Sequence, residues 1–253
     1  MRRIAARSDR MTQQMGVQER SPERTQVAYA RLSGFLFLWL IITGLAGLLT
    51  ESRIIGSGDF ATVAKRVVAS EHLYRLALVS ALIETMSATL LAFSLYVTLK
   101  PVNALLAQLA MYFRLGESII GGASMMFSFL KLRIYTSSES LQTLGAGQSQ
   151  TLLDLTRAAG FASYNVSALF FSIGSILFFY LFLKSRYIPR ALSAFGVLAS
   201  VVVTIICFGS LIFPEYSRQL QYGWAPMAVA EVTTGFWLMF GAKINRSELA
   251  SNA

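Results

Sequence analysis

The sequence contains few charged residues, a single cysteine and a single histidine. Charged residues make up 14% of its 253 residues, whereas roughly 25% is typical of a soluble domain. This shortage excludes a disordered chain and a soluble globule. Cys207 has no partner for an intrachain disulfide, and His72 alone cannot form a histidine-based metal cluster. The sequence also lacks a Gly-x-Ser-x-Gly nucleophile elbow and a lysine-containing phosphate-binding loop. It therefore predicts no catalytic residue, no metal site and no cofactor.

The abundant residues are apolar, and they are grouped in long runs. Hydrophobic residues make up 55% of the chain, and six runs reach the length of about 20 residues that a membrane-spanning helix needs. Because backbone groups inside a bilayer have no water to bond, the helix is the default spanning structure. The sequence therefore predicts an all-α, polytopic membrane protein, a bundle of six transmembrane helices. The predicted spans cover residues 30–50, 74–99, 102–130, 161–183, 191–213 and 222–242.

The distribution of basic residues predicts the orientation of the chain. The net charge is +9, and Lys and Arg are concentrated in the N-terminal tail and in the segments on its side of the membrane. Because cytoplasmic segments of membrane proteins are rich in Lys and Arg, we expect both termini in the cytoplasm and no nucleic-acid partner. The predicted organisation is a basic, disordered cytoplasmic tail at 1–25, a transmembrane domain at 26–246 and a short cytoplasmic tail at 247–253.

Two outer loops show the pattern of short amphipathic helices that lie at the membrane interface. In the first, a Gly-Ser-Gly turn at 56–58 precedes Asp59, a suitable helix cap. Lys65 and Arg66 lie away from the apolar face that follows. The apolar residues are Phe60, Val63, Val67 and Val68 in the first loop and Leu152, Leu153, Leu155 and Ala159 in the second. Two interpretations stay open: these helices fill the interface, or they cover an outward-facing cavity.

Four charged residues lie inside the predicted spans. They are Glu84 in the second span, Arg114 and Glu117 in the third, and Glu231 in the sixth. A charged side chain at the centre of a transmembrane helix costs about 2.5–3.5 kcal/mol, so these residues must pair, become protonated or face a cavity. Arg114 and Glu117 are three residues apart and share a helix face. Since all four fall at similar depths, the sequence predicts that together they form a ligand-binding site.

The charges in this set do not balance. Three carboxylates accompany one guanidinium, so we expect that at least one glutamate is protonated at neutral pH or that a cation is bound. The alternative is a polar clasp that fixes the register of the helices. Arg75 and His72 lie at the outer end of the second span, where they are predicted to contribute to the rim of the site.

Four segments, in this order, resemble a known family of bacterial membrane proteins. They are ASEHLYRL at 69–76, LKPVN at 99–103, FRLGE at 113–117 and SRYIPR at 185–190. Over about residues 30–242 the chain is similar to the domain of unknown function family 4386 (DUF4386). The resemblance implies a six-helix protein of the bacterial cytoplasmic (inner) membrane, and it implies no activity.

Three functional classes remain open from the sequence. The first is binding or transport of a small solute, ion or lipid through the intramembrane Glu/Arg site. The second is a non-catalytic membrane scaffold or accessory subunit whose intramembrane charges fix helix packing. The third is an intramembrane enzyme that uses paired carboxylates as acid and base. The partners that the sequence predicts are the lipid bilayer and, in the first class, a small-molecule, ion or lipid ligand. It identifies no protein partner.

Overall fold

The chain is α-helical throughout the part that the structure describes. The computed structural model describes residues 2–241, with the side chains of 23–137, 145 and 147–241, and this range contains no β-strand. The all-α prediction is therefore confirmed. The first six helices are α1 (Arg2–Ile55), α2 (Phe60–Ala69), α3 (Glu71–Leu99), α4 (Ala104–Thr136), α5 (Ser138–Ser185) and α6 (Arg190–Ile212). The remainder comprises 3-10 turns at Pro214–Tyr216 and Gln221–Trp224, α7 (Ser217–Leu220) between them, α8 (Ala225–Phe236) and a π-helical turn at Trp237–Gly241.

Six helices form a closed ring in chain order. α1 packs on α3, α3 on α4, α4 on α5, α5 on α6, α6 on α8, and α8 returns to pack on α1. The outward faces of these helices are strongly apolar: Ile42, Leu76, Ile119 and Ile205 are each more than 60% exposed. Exposed apolar surface of this extent is typical of a lipid-facing protein. The ring therefore has an apolar exterior and encloses a central space.

Four of the predicted spans are supported by the helices observed. The helices long and apolar enough to cross a bilayer are Glu23–Ile55, Glu71–Leu99, Gly147–Ser185 and Arg190–Ile212. The predicted spans at 102–130 and 222–242 are not confirmed, so six crossings are not established by length and composition. The first of these two contains charged residues, and α8 has only 12 residues before the five-residue π-helical turn. Both helices nevertheless complete the ring.

The two predicted tails differ in what the structure describes. The backbone is already helical from Arg2, within the segment 1–25 that the sequence predicts to be disordered. Arg, Gln and Glu, which are frequent there, are good helix formers. The predicted C-terminal tail at 247–253 and the last residue of the predicted sixth span, Ala242, lie outside the described residues.

The first predicted interfacial helix is present as α2. Gly56 and Gly58 adopt positive φ angles of 53° and 139° in the turn before it. The Asp59 side chain accepts a hydrogen bond from Thr62 N at 3.1 Å, which caps α2. Hydrogen bonding by the Thr62 side chain, and then by the Thr62 backbone N–H, holds the pKa of the Asp59 carboxyl below its ordinary value. Phe60, Val63 and Val67 are buried as predicted.

One member of that predicted face is wrong. Val68 is 53% exposed, and Ala64 takes the fourth buried position instead. The reason is geometric: at about 100° per residue, Phe60, Val63, Ala64 and Val67 fall within one arc of about 100° around the helix axis, and Val68 lies about 40° beyond the edge of that arc. Arg66 lies on the other side of α2, where Nη2 donates to Ile55 O at 2.5 Å and to Ser57 O at 2.7 Å. It therefore stabilises the end of α1.

The second predicted interfacial helix is not a separate element. Residues 152–159 belong to a helix that continues without a break from Gly147 to Ser185. The backbone leaves helical geometry at Gly145, with φ 74° and ψ 163°, and resumes beyond it. Gly147, two residues later, begins the continuous helix, because helical φ angles are also open to glycine. The helix that contains the span predicted at 161–183 therefore has 39 residues, about 1.7 times the expected length.

Candidate functional site

A cavity of about 360 Å³ lies inside the ring, and five helices contribute to its wall. Cavities of about 300–1,000 Å³ are typical of small-molecule sites. The four charged residues that the sequence singled out, Glu84, Arg114, Glu117 and Glu231, all line it. The rest of the wall comprises Phe37, Leu40, Ile41, Gly44, Leu45, Thr85, Ala88, Ser118, Gly121, Ser167, Phe171 and Ala228. The ring thus brings charges from three different helices to one place.

Arg114 and Glu117 form an ion pair at this cavity. Arg114 Nε lies 3.1 Å from Glu117 Oε2, and the two side chains are 3% and 19% exposed. The contact lacks hydrogen-bond geometry, so it is an electrostatic pairing. Both residues belong to α4, which means that the pair neutralises charge without joining two helices.

The guanidinium of Arg114 is held against α5. Its Cζ lies 4.4 Å from the centroid of the Phe171 ring, a cation–π distance, and Nη1 donates to Ser175 Oγ at 3.5 Å. Gly174 makes this approach feasible, because a Cβ there would lie 2.9 Å from Arg114 Cγ. Arg114 is therefore fixed by one aromatic face, one hydroxyl and one carboxylate.

Glu84 and Glu231 have no such partners. Both line the cavity, yet within the part of the chain that the structure describes neither forms an ion pair or a hydrogen bond. Gly44 of α1 gives Glu84 its room, because a Cβ at that position would lie 2.8 Å from Glu84 Oε1. Two carboxyl groups are consequently free to interact with something placed in the cavity.

The hydroxyl groups of the cavity wall donate hydrogen bonds to backbone carbonyl oxygens. Thr85 Oγ1 donates to Ala81 O at 3.0 Å, and Ser118 Oγ donates to Arg114 O at 3.1 Å. Ser167 Oγ donates to Glu117 O at 2.9 Å, which also ties α5 to α4. Each oxygen keeps lone pairs, so these residues present acceptors to the cavity.

The carboxylates of the cavity do not form a metal cluster. Among the residues described, no three His, Cys, Asp or Glu side chains are close enough to hold one metal ion. The site therefore has a formal excess of two carboxylates that are spread around the wall. Carboxyl groups separated in this way fit an extended ligand better than a bare ion.

The two predicted rim residues lie away from the cavity. His72 is exposed, and Arg75 pairs with Glu71 on the same helix, with Arg75 Nη2 2.6 Å from Glu71 Oε1. Both residues occupy the first turns of α3, and neither contributes to the cavity wall. The structure therefore does not bring them together with Glu84, Arg114, Glu117 and Glu231.

Polar contacts join the helices on either side of the cavity. At one end, the buried Gln26 donates through Nε2 to Thr98 O at 2.7 Å and to Tyr187 Oη at 3.0 Å. At the other end, Glu51 Oε1 lies 3.0 Å from Lys131 Nζ and accepts a hydrogen bond from Tyr74 Oη at 3.1 Å. The cavity lies between these two sets of contacts along the helix axes.

A second cavity, of about 540 Å³, lies where α2, α4 and α5 meet. Phe60 and Tyr135 stack there with ring centroids 5.7 Å apart, and Arg157 Nη2 donates to Tyr135 Oη at 2.9 Å. Leu153 of the predicted second interfacial segment also lines it. The two segments that the sequence singled out in the outer loops thus meet around one space.

Several residues of the central site were not predicted as part of it. Phe171 and Gly174, which position Arg114, gave no polar signal, and Ser118 and Ser167 were not among the predicted site residues. Helical spacing could have found some of them: Ser118 and Gly121 follow Arg114 by four and seven residues, so they share its face. The aromatic partner on α5 could not be found this way, because spacing on one helix does not identify the neighbouring helix.

Comparison with known proteins finds a family and no individual relative. No curated protein and no solved structure matches the chain. One family model matches residues 32–241, a range that includes the four charged residues of the cavity and the whole ring except the start of α1. Its description, domain of unknown function, names no activity. The chain therefore belongs to the DUF4386 family, as its sequence motifs predicted.

Proposed function

We propose that this protein binds or transports a small solute in the cavity at the centre of its helix ring. The observation that supports this most directly is the pair Glu84 and Glu231, two carboxyl groups that line one cavity without partners among the described residues. Unpaired charge in a membrane helix costs about 2.5–3.5 kcal/mol for each residue. Protonation or a bound cationic ligand offsets this cost, and of the two only the ligand also accounts for the cavity around these groups.

The proposed topology is a six-helix bundle in the bacterial cytoplasmic (inner) membrane, with both termini in the cytoplasm. The apolar outer faces of the ring support membrane embedding, and the basic N-terminal tail supports the orientation. In the proposed topology α4 and α8 also cross the membrane, because each packs between two other helices of the ring. In this arrangement the charges of α4 face the cavity rather than lipid.

The alternative is a membrane scaffold or accessory subunit whose charges fix helix packing. One contact favours it: Arg114 joins α4 to α5 through Phe171 and Ser175. The ion pair itself favours it less, because Arg114 and Glu117 lie on one helix. Glu84 and Glu231 fix no helix pair, since neither has a partner in the residues described.

Access to the cavity by a small neutral reagent separates these two functions. In a Cys207→Ala background, Thr85→Cys places one thiol in the cavity wall, and Ile83→Cys places one on the outer face of the same helix, where residue 83 is 47% exposed. We expect methyl methanethiosulfonate to modify Thr85→Cys at least about tenfold faster in membranes, because a thiol surrounded by lipid does not ionise to the reactive thiolate.

The labelling is quantified by mass spectrometry, with SDS-unfolded protein as the measure of full reaction. Equal, slow labelling of both cysteines in the folded protein, with full reaction after unfolding, would contradict a solute-accessible cavity and favour the scaffold.

A further inference from the structure

The groups of the central cavity that lack partners are acceptors. Glu84 and Glu231 are unpaired among the described residues. The hydroxyls of Thr85, Ser118 and Ser167 donate their hydrogen bonds to backbone carbonyl oxygens. While Glu84 and Glu231 are ionised, the ligand that matches this wall is one that donates hydrogen bonds and brings positive charge.

The one cation in the wall is already neutralised. Arg114 is 3% exposed, lies 3.1 Å from the Glu117 carboxylate and stacks on Phe171. An anionic ligand would have to compete with Glu117 for this guanidinium while facing two further carboxylates. Like charges in a low-dielectric space repel strongly, so the electrostatics of the cavity oppose an anion.

The shape and polarity of the rest of the wall favour an organic cation over a bare metal ion. No three acidic side chains in the described part of the chain converge on one point, which disfavours a bare metal ion. Phe37, Leu40 and Ile41 give the cavity an apolar side, and apolar surface favours a ligand with a hydrophobic body. The volume of about 360 Å³ accommodates a small organic molecule rather than an atom.

We propose that the cavity binds a small organic ammonium ion, whose N–H groups meet Glu84 and Glu231 while its apolar part lies against the aromatic and aliphatic wall; this rests on the proposed function and specifies its ligand class. The two carboxyl groups come from α3 and α8, on opposite sides of α1 in the order of the ring. Binding of one ammonium between them would bridge these helices through the cavity.

Three probes of the same shape and different charge test this inference. Benzylammonium, benzyl alcohol and benzoate are each added to the purified protein in nanodiscs, and the melting temperature is recorded. We expect benzylammonium at saturation to raise the melting temperature by about 2–4 °C, with no rise from the other two. A larger rise with benzoate would overturn the inference in favour of an anion site at Arg114, and an equal rise with benzyl alcohol would overturn it in favour of an uncharged pocket.

The site is assigned with three variants. Glu84→Gln/Glu231→Gln is expected to bind benzylammonium at least about tenfold more weakly, because hydrogen bonds to charged groups are worth more than the roughly 1.4 kcal/mol of one factor of ten. Glu71→Gln removes an exposed carboxylate outside the cavity and is the matched control, with unchanged affinity. Gly121→Leu fills part of the cavity, where a Cβ meets its nearest atom at 3.5 Å, and is expected to abolish binding.

The outcomes separate this inference from the proposed function. If benzoate or benzyl alcohol binds and Gly121→Leu abolishes that binding, the cavity is a solute site and only the ammonium assignment fails. If none of the three probes shifts the melting temperature, the ammonium assignment is contradicted, and the cysteine labelling decides the proposed function independently. Benzylammonium binding that survives in Glu84→Gln/Glu231→Gln would also contradict the assignment.

Discussion

Arg114→Met is expected to lower the free energy of unfolding by about 3–5 kcal/mol, the cost of leaving one member of a buried ion pair without its partner. The Glu117 carboxylate lies 3.1 Å from Arg114 and is 19% exposed, so without the arginine it has no compensating charge on its helix. The variant also loses the contact of the guanidinium with Phe171. Reversible unfolding in mixed detergent micelles measures the effect.

Arg75→Met is the matched control for this experiment. Arg75 also pairs with a glutamate of its own helix, but the side chains of Arg75 and Glu71 are 49% and 34% exposed. Exposed pairs four residues apart contribute only about 0.3–0.5 kcal/mol, so this variant should unfold almost as the parent does. Equal stability of Arg114→Met and Arg75→Met would show that the buried pair does not exist as described.

Gly34→Ala is expected to destabilise the protein by about 1–3 kcal/mol, the usual cost of overpacking. A Cβ at position 34 would lie 2.6 Å from both Gly235 O and Met239 N. These are backbone atoms of α8 and the π-helical turn, so they cannot rotate away as a side chain can. The added methyl group must therefore separate α1 from α8, the contact that closes the ring and places Glu231 at the cavity.

Gly47→Ala provides the control on the same helix. A Cβ there meets nothing closer than Ala77 O at 3.9 Å, so the substitution keeps the packing and gains the helix propensity of alanine, about 0.5–1 kcal/mol. Thermal melting should therefore move in opposite directions for the two variants. A Gly34→Ala protein that melts with the parent would contradict the close crossing of α1 and α8.

The central site could be located from the sequence because of the cost of charge in a membrane. Glu84, Arg114, Glu117 and Glu231 stand out in apolar runs, and desolvation requires them to find partners or a cavity. Their side chains indeed line one cavity. His72 and Arg75 were selected by position alone, without that constraint, and both lie outside it.

Other features of the molecule could not be predicted because they depend on neighbouring helices. Apolar periodicity shows that a helix has an inner face, yet it does not show that Phe171 of α5 stacks on Arg114. The number of spans also depends on neighbouring helices. α4 is less apolar than the four supported spans because its charged residues face the cavity, and α8 is short. Residues 152–159 are part of α5 because the backbone leaves helical geometry at Gly145 and not after it. The sequence does not decide which glycine leaves the helix, because glycine adopts helical and non-helical φ angles equally well.

The measurement that most directly tests whether the charges serve ligand binding is the melting temperature of Arg114→Met/Glu117→Leu. This double replacement removes both charges of the buried pair and leaves neither orphaned. If the charges of the cavity serve a ligand rather than helix packing, apolar residues of similar size should leave the melting temperature unchanged or raise it, and benzylammonium should still bind through Glu84 and Glu231. If the helix bundle instead loses its structure, the pair stabilises the packing of α4, and the scaffold function replaces the one proposed here.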